Sequence, residues 1–234
     1  MKRPVRLLVG IALFAAGCVP ALSQSQTAGE FWPEAYVFYQ LPENWRLLAI
    51  GGLKNSEETG YRQVNAGLAL GHQWLRIKRP HLENIDPDKE HVFVVGGGYE
   101  NLQTLSGKSK FENRLVLEGM PGYRFLPRLF VRDRNRVEFR WINGVYSTRY
   151  RNELSAEYDF KINNFRFTPY GAAEAYYNGP TSSWNEEQYT AGVQWPVKRL
   201  LQIDTYYLRQ NCTTCSPPHL NVAGLTLNFY FRHK

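Results

Sequence analysis

Three stretches of the chain place a charged residue at every second position, and a polypeptide has few ways to satisfy such a pattern. At 110–118 Phe111, Leu115 and Leu117 oppose Glu112, Arg114 and Glu118; at 134–142 Val137, Phe139 and Trp141 oppose Arg134, Arg136, Glu138 and Arg140. At 149–160 Tyr150, Leu154, Ala156, Tyr158 and Phe160 oppose Arg149, Arg151, Glu153, Ser155, Glu157 and Asp159. A helix would scatter these charges round its circumference, whereas a strand sends them all to one face. The pattern predicts long ribbons with one apolar and one charged side.

The same alternation, less charged, runs through the rest. Strands are expected near 35–41 and 45–52, joined by Leu41-Pro42-Glu43-Asn44, and then in a segment where Val64, Ala66, Leu68 and Leu70 share one parity and Trp74 closes the run. Further strands follow at 91–101, 165–177, 186–197, 200–210 and 219–231. Residues 75–90 contain Lys78-Arg79-Pro80 and Asp86-Pro87-Asp88 and read as loop. Gly96-Gly97-Gly98 is followed by no helix pattern and lacks nucleotide-motif spacing, so it reads as a strand bend or a place where a neighbour packs closely. With no helix-period segment and no linker, the chain is one all-β unit.

The N-terminus is organised differently. Basic residues precede the apolar 7–16 run, Pro20 breaks any helix, and small residues follow. This is the layout of a secretory signal peptide over residues 1–23, with Cys18 as a rival lipidation site. Loss of Lys2, Arg3 and Arg6 lowers the formal charge from +7 to +4, which together with export argues against a nucleic-acid partner. Residues 24–33 read as a polar lead-in and 34–234 as the folded unit.

An exported all-β chain is either a soluble sandwich or a membrane barrel. Aromatic residues flank small and aliphatic ones: Tyr150 and Tyr158/Phe160 bracket Leu154 and Ala156, and Tyr189 and Trp195 bracket Ala191 and Val193. From Tyr150 to Tyr158 the rise, at ~3.3 Å per residue and ~40° tilt, is roughly 20 Å, close to the apolar band of outer-membrane barrels. The strands are also longer than those of soluble sheets. The expected fold is therefore a single antiparallel transmembrane β-barrel of ten to twelve strands. Because closed antiparallel rings are even, twelve is preferred, with a hidden strand in 24–33. Long connections at 178–185 and 211–218 alternate with short ones at 161–164 and 196–199, but 143–148 is too short and 75–90 too long for their sides.

The segments Phe111-Glu112-Asn113-Arg114-Leu115, Arg132-Asp133-Arg134-Asn135-Arg136, Tyr150-Arg151-Asn152-Glu153-Leu154, Gln188-Tyr189-Thr190-Ala191-Gly192 and Asp204-Thr205-Tyr206-Tyr207 resemble a family of bacterial outer-membrane barrels catalogued only as a domain of unknown function. The resemblance covers roughly residues 33–231 and implies an outer-membrane barrel with no assigned activity. The last strand, with Gly224, Leu227, Phe229 and Phe231, also looks like a recognition signal for the barrel-assembly machinery, except that Arg232, His233 and Lys234 follow it.

On this reading Leu225, Leu227, Phe229 and Phe231 meet outer-membrane lipid, and Glu112, Arg114, Glu118, Arg136, Glu138, Arg140, Arg151, Glu153, Glu157, Asp159, Arg166 and Glu174 line the lumen. These acids and bases either pair across strands and fill the barrel, or edge a narrow pore whose arginines favour anionic solutes. Cys212 and Cys215 are expected to form a disulfide; a zinc site with His219 would lack a fourth ligand, and a redox role would need a helix start. No cofactor motif is present. The rival functions are a secreted sandwich that binds carbohydrate or protein, and a barrel-embedded lipid hydrolase. The hydrolase needs a histidine base, and His72, His81, His91, His219 and His233 fall in no serine-associated motif.

Overall fold

The computed structural model describes residues 27–56, 59–77, 85–106, 110–163 and 165–233. The expected signal peptide, Cys18 and His81 lie outside these residues. The described chain is all-β, with no α-helix, and its strands are β1 (Thr27–Gln40), β2 (Trp45–Asn55), β3 (Arg62–Arg76), β4 (His91–Thr104), β5 (Phe111–Arg124), β6 (Leu129–Ile142), β7 (Val145–Tyr158), β8 (Phe160–Ile162), β9 (Phe165–Asn178), β10 (Ser183–Lys198), β11 (Leu201–Cys212) and β12 (His219–Arg232).

Eleven of these close into a barrel; the three-residue β8 pairs only with the start of β9 and stands outside the ring. This corrects the preference for twelve wall strands and for a wholly antiparallel sheet. Strands that each reverse their neighbour close evenly only in even numbers, so an eleven-strand ring must contain one pair running the same way. That pair is β1 and β12, in unbroken parallel register from Thr27↔His219 to Gln40↔Arg232. Nor do residues 27–33 form a separate lead-in or an extra strand: they are the first half of β1.

Local chemistry sets the turns. Asn143-Gly144 takes φ of 49° and 86°, the left-handed pair that a two-residue hairpin needs, which explains why this connection is so short. Gly98, from the triple-glycine run, lies so close to β3 that a Cβ would come within 2.6 Å of the Leu68 carbonyl oxygen. The run is a regular part of β4, and its use is close approach.

Strand parity sorts the side chains. Ala35, Val37, Leu47, Leu68, Leu70, Leu115, Leu117, Leu154, Ala173, Ala191, Leu225 and Leu227 form an outward apolar band. Aromatic clusters border it on both sides. Toward the barrel end that carries the C-terminus, Trp45, His72, Trp74 and Phe93 make successive ring contacts, as do Phe160, Phe167 and Trp195. Toward the far end, Trp141 meets Tyr146, and Trp184 meets both Tyr150 and Tyr177.

Candidate functional site: charges inside the barrel

The inner face has two halves. From β9 through β12 to β1 it mixes uncharged polar residues, such as Gln188, Gln202, Thr226 and Asn228, with aromatic ones, and a row of cross-strand neighbours runs Tyr170, Gly192, Tyr206, Gly224, Trp32. Each tyrosine ring lies over a glycine, and a Cβ on Gly192 would stand 2.7 Å from the Tyr170 ring, while one on Gly224 would clash with Cζ and both Cε atoms of the Tyr206 ring. Trp32 packs with Leu208 and Val222 and receives the Lys54 ammonium 3.5 Å from its indole centroid.

The other half, on β4 to β7 and β9, is charged. Period-two alternation points charge inward on five adjacent strands, so each acid meets bases from its neighbours. Glu138, with no exposed surface, accepts from Arg149 Nε at 2.8 Å and Arg151 Nη1 at 3.2 Å and has Arg136 Nε at 3.2 Å. Arg151 also grips both oxygens of Glu174, at 2.8 and 2.7 Å, and Glu174 takes further bonds from Arg134 Nη2 at 3.1 Å and the Tyr176 hydroxyl at 2.7 Å. Arg134 continues to Glu153 at 2.8 Å. In the other direction Arg136 bonds Glu100, and Arg114 stands between Glu100 and Glu112. Glu112 accepts from Arg114 Nε and Arg140 Nε, both at 2.6 Å. The result is one continuous chain of alternating acids and bases from Glu153 to Arg140. While their edges are held by carboxylates, two of these arginines also lay their faces on a ring: Arg149 and Arg151 lie 5.1 and 4.6 Å from the Tyr176 centroid. Lys110, in the connection before β5, is 3.8 Å from Glu112; burial lowers its pKa while the carboxylate pulls the other way.

Residues 85–90, expected as an ordinary loop, fold into the mouth at the C-terminal end. Asp86 caps a short 3-10 turn by accepting from the Asp88 amide at 3.0 Å, which turns Asp88 and Lys89 inward. Asp88 pairs with Arg46 on β2 and accepts from Gln73 on β3 at 2.5 Å. Lys89 Nζ donates across the barrel to Glu157 on β7 at 2.6 Å and Gln194 on β10 at 2.8 Å. Both side chains are about 95% buried, at 4% and 5% exposure. The length that made 75–90 anomalous as a turn thus supplies, in its described part, an inserted segment.

Asp159 accepts from Thr168 at 2.7 Å and Arg124 at 3.5 Å; Arg166 and Glu118 lie on the inner parity of β9 and β5. Cys212 and Cys215 are joined in a disulfide with Cα atoms 5.4 Å apart. Their sulfurs lie with a Glu186 oxygen within 4.8 Å, but the S–S bond occupies the thiols, and His219 points instead to Asn211 at 3.0 Å. His72 is outside among tryptophans, and His91 is held by the Pro87 carbonyl at 2.9 Å. Glu100, Arg134 and Arg149 complete the network and were not singled out as site residues, although the latter two share the charged parity. Lys89, Asp88 and Arg46 carried no local signal.

No curated protein matches the chain. Over residues 29–218 it matches the family described as "Protein of unknown function (DUF2490)". The match spans most of the sequence, and the chain belongs to that family.

Proposed function

We propose that this protein is an outer-membrane β-barrel whose lumen is sealed, a component of the envelope wall rather than an open pore. The observation that carries the reading is the inversion of polarity: charges sit inside and mutually paired, while the outer face is an apolar band between aromatic belts. A soluble sandwich has the reverse need, since its apolar face must be turned away from water. Leu68 is 68% and Leu154 55% exposed on the outer wall, surface that lipid would cover.

Closure is supported by the completeness of the pairing. Each arginine of the Glu153–Arg140 chain is engaged by at least one carboxylate, so among its described residues that half of the lumen leaves no row of free guanidinium groups to lead anions through. The Asp88–Lys89 segment closes the mouth independently. Export, assembly by the barrel-assembly machinery and contact with outer-membrane lipid belong to the same proposal. Planar-bilayer recording on the purified chain tests it: a heat-modifiable barrel that inserts and stays silent is the expected result, and steady anion-selective conductance would overturn the sealed reading.

A further inference from the structure

Among the described residues, the outer wall carries one charged polar patch toward the middle of the apolar band. Asp133 and Asn135 on β6 and Asn152 on β7 face outward, and Asp133 pairs in register with Leu154, midway along β7 between Tyr150 and Tyr158. Of the other outward charges, Arg62, Glu187 and Arg209 stand near the far rim and Arg76 at the opposite one, beyond the band, while the outward Asn101–Asn113 pair is uncharged and borders the far aromatic belt at Trp141. Asn152 Nδ2 donates to Asp133 Oδ1 at 2.6 Å and Asn135 Oδ1 at 3.2 Å, and the Tyr150 hydroxyl donates to Asn135 Oδ1 at 2.5 Å. These bonds use the Asn152 amide hydrogens and leave the Asn135 NH2 as the donor, with Asp133 Oδ2 and Asn152 Oδ1 as the acceptors.

We propose that this face is where a second copy of the chain docks within the membrane, an inference that rests on the membrane reading above. The patch is complementary to itself: the Asn135 amide has two hydrogens, and the two acceptors of a facing copy are of matching number. A two-fold axis along the membrane normal keeps residues at equal height; Asn135 and Asn152 are register partners on adjacent strands, roughly 3 Å apart in height at a ~40° strand tilt, so each comes within side-chain reach of the other across the axis. The surroundings permit close approach: Gly119 neighbours Asn135, while Ala173 and Ala175 neighbour Leu154 and Asn152. Lipid tails offer these groups no hydrogen bond; the same face of another copy does.

The test uses the full chain in outer membranes. Leu154→Cys, beside the patch, is expected to give a cross-linked dimer with a short bismaleimide, and Leu47→Cys, on the opposite wall, is not. The triple variant Asp133→Leu, Asn135→Leu, Asn152→Leu, combined with Leu154→Cys, should lose the dimer yet keep heat-modifiable mobility, because apolar substitutions suit a lipid-facing wall. Equal cross-linking at both positions, adducts only to other proteins, or an undiminished dimer in the triple variant overturns the pairing. Labelling of Leu47→Cys by a membrane-impermeant thiol reagent would instead defeat the membrane reading itself.

Discussion

Removing the Glu138 carboxylate should be the most damaging single change in the lumen, and its size follows from what each partner keeps. Arg151 retains Glu174 through two bonds of 2.8 and 2.7 Å, and Arg136 retains Glu100. Arg149 keeps only the Tyr176 ring face, 5.1 Å away. The variant Glu138→Leu therefore strands one buried guanidinium rather than three. A buried pair broken on one side costs about 3–5 kcal/mol, so that is the expected loss. Equilibrium urea unfolding of the chain refolded into lipid vesicles measures it from the shift in midpoint at constant slope. The companion variant Glu138→Leu/Arg149→Met removes both charges and should recover most of the loss. A loss below about 1 kcal/mol for Glu138→Leu, the range of exposed pairs, would refute the argument that these charges are buried and mutually dependent.

Three further outcomes are expected. Asp88→Ala/Lys89→Ala releases the inserted segment from Arg46, Gln73, Glu157 and Gln194, and brief conductance steps should replace silence in bilayer recordings; unchanged silence would mean that the segment does not close the mouth. Leu227→Arg puts a cation on the outward face of β12 and should cost about 2–4 kcal/mol near the midplane, seen as a reduced heat-modifiable fraction; assembly equal to the parent would contradict the assigned face. Gly224→Ala forces a methyl into the Tyr206 ring and should cost about 1–3 kcal/mol, whereas Gly51→Ala, with nothing within 4 Å, should be neutral; equal effects in the same unfolding assay would remove the packing argument.

What the sequence revealed is what depends on near neighbours. The alternation through Arg149, Arg151, Glu153 and Leu154 is local and fixes both the strand and its faces, and each wall strand overlaps an expected one, several running longer than expected. Pairing order is not local. Nothing in residues 27–33 announces that they extend a strand lying parallel to β12, so an evenness rule that holds for antiparallel rings misdirected the count. The inserted segment was hidden for the same reason: Asp86-Pro87-Asp88 has the composition of a solvated loop, and only the position of Arg46 and Glu157 across the barrel makes it a buried one. Asn135 and Asn152 likewise look like interruptions of an apolar parity until the register sets them side by side.

The central claim is that the outer wall meets lipid, and spin labels placed singly along β12 test it most directly. Labels at Ala223, Leu225, Leu227 and Phe229 should collide with oxygen dissolved in the bilayer and be shielded from a water-soluble nickel chelate, while labels at Val222, Thr226 and Asn228 should be shielded from both, giving an alternation of period two. Nickel-chelate access at the outward positions, with no preference for oxygen, would place that face in water and contradict the account.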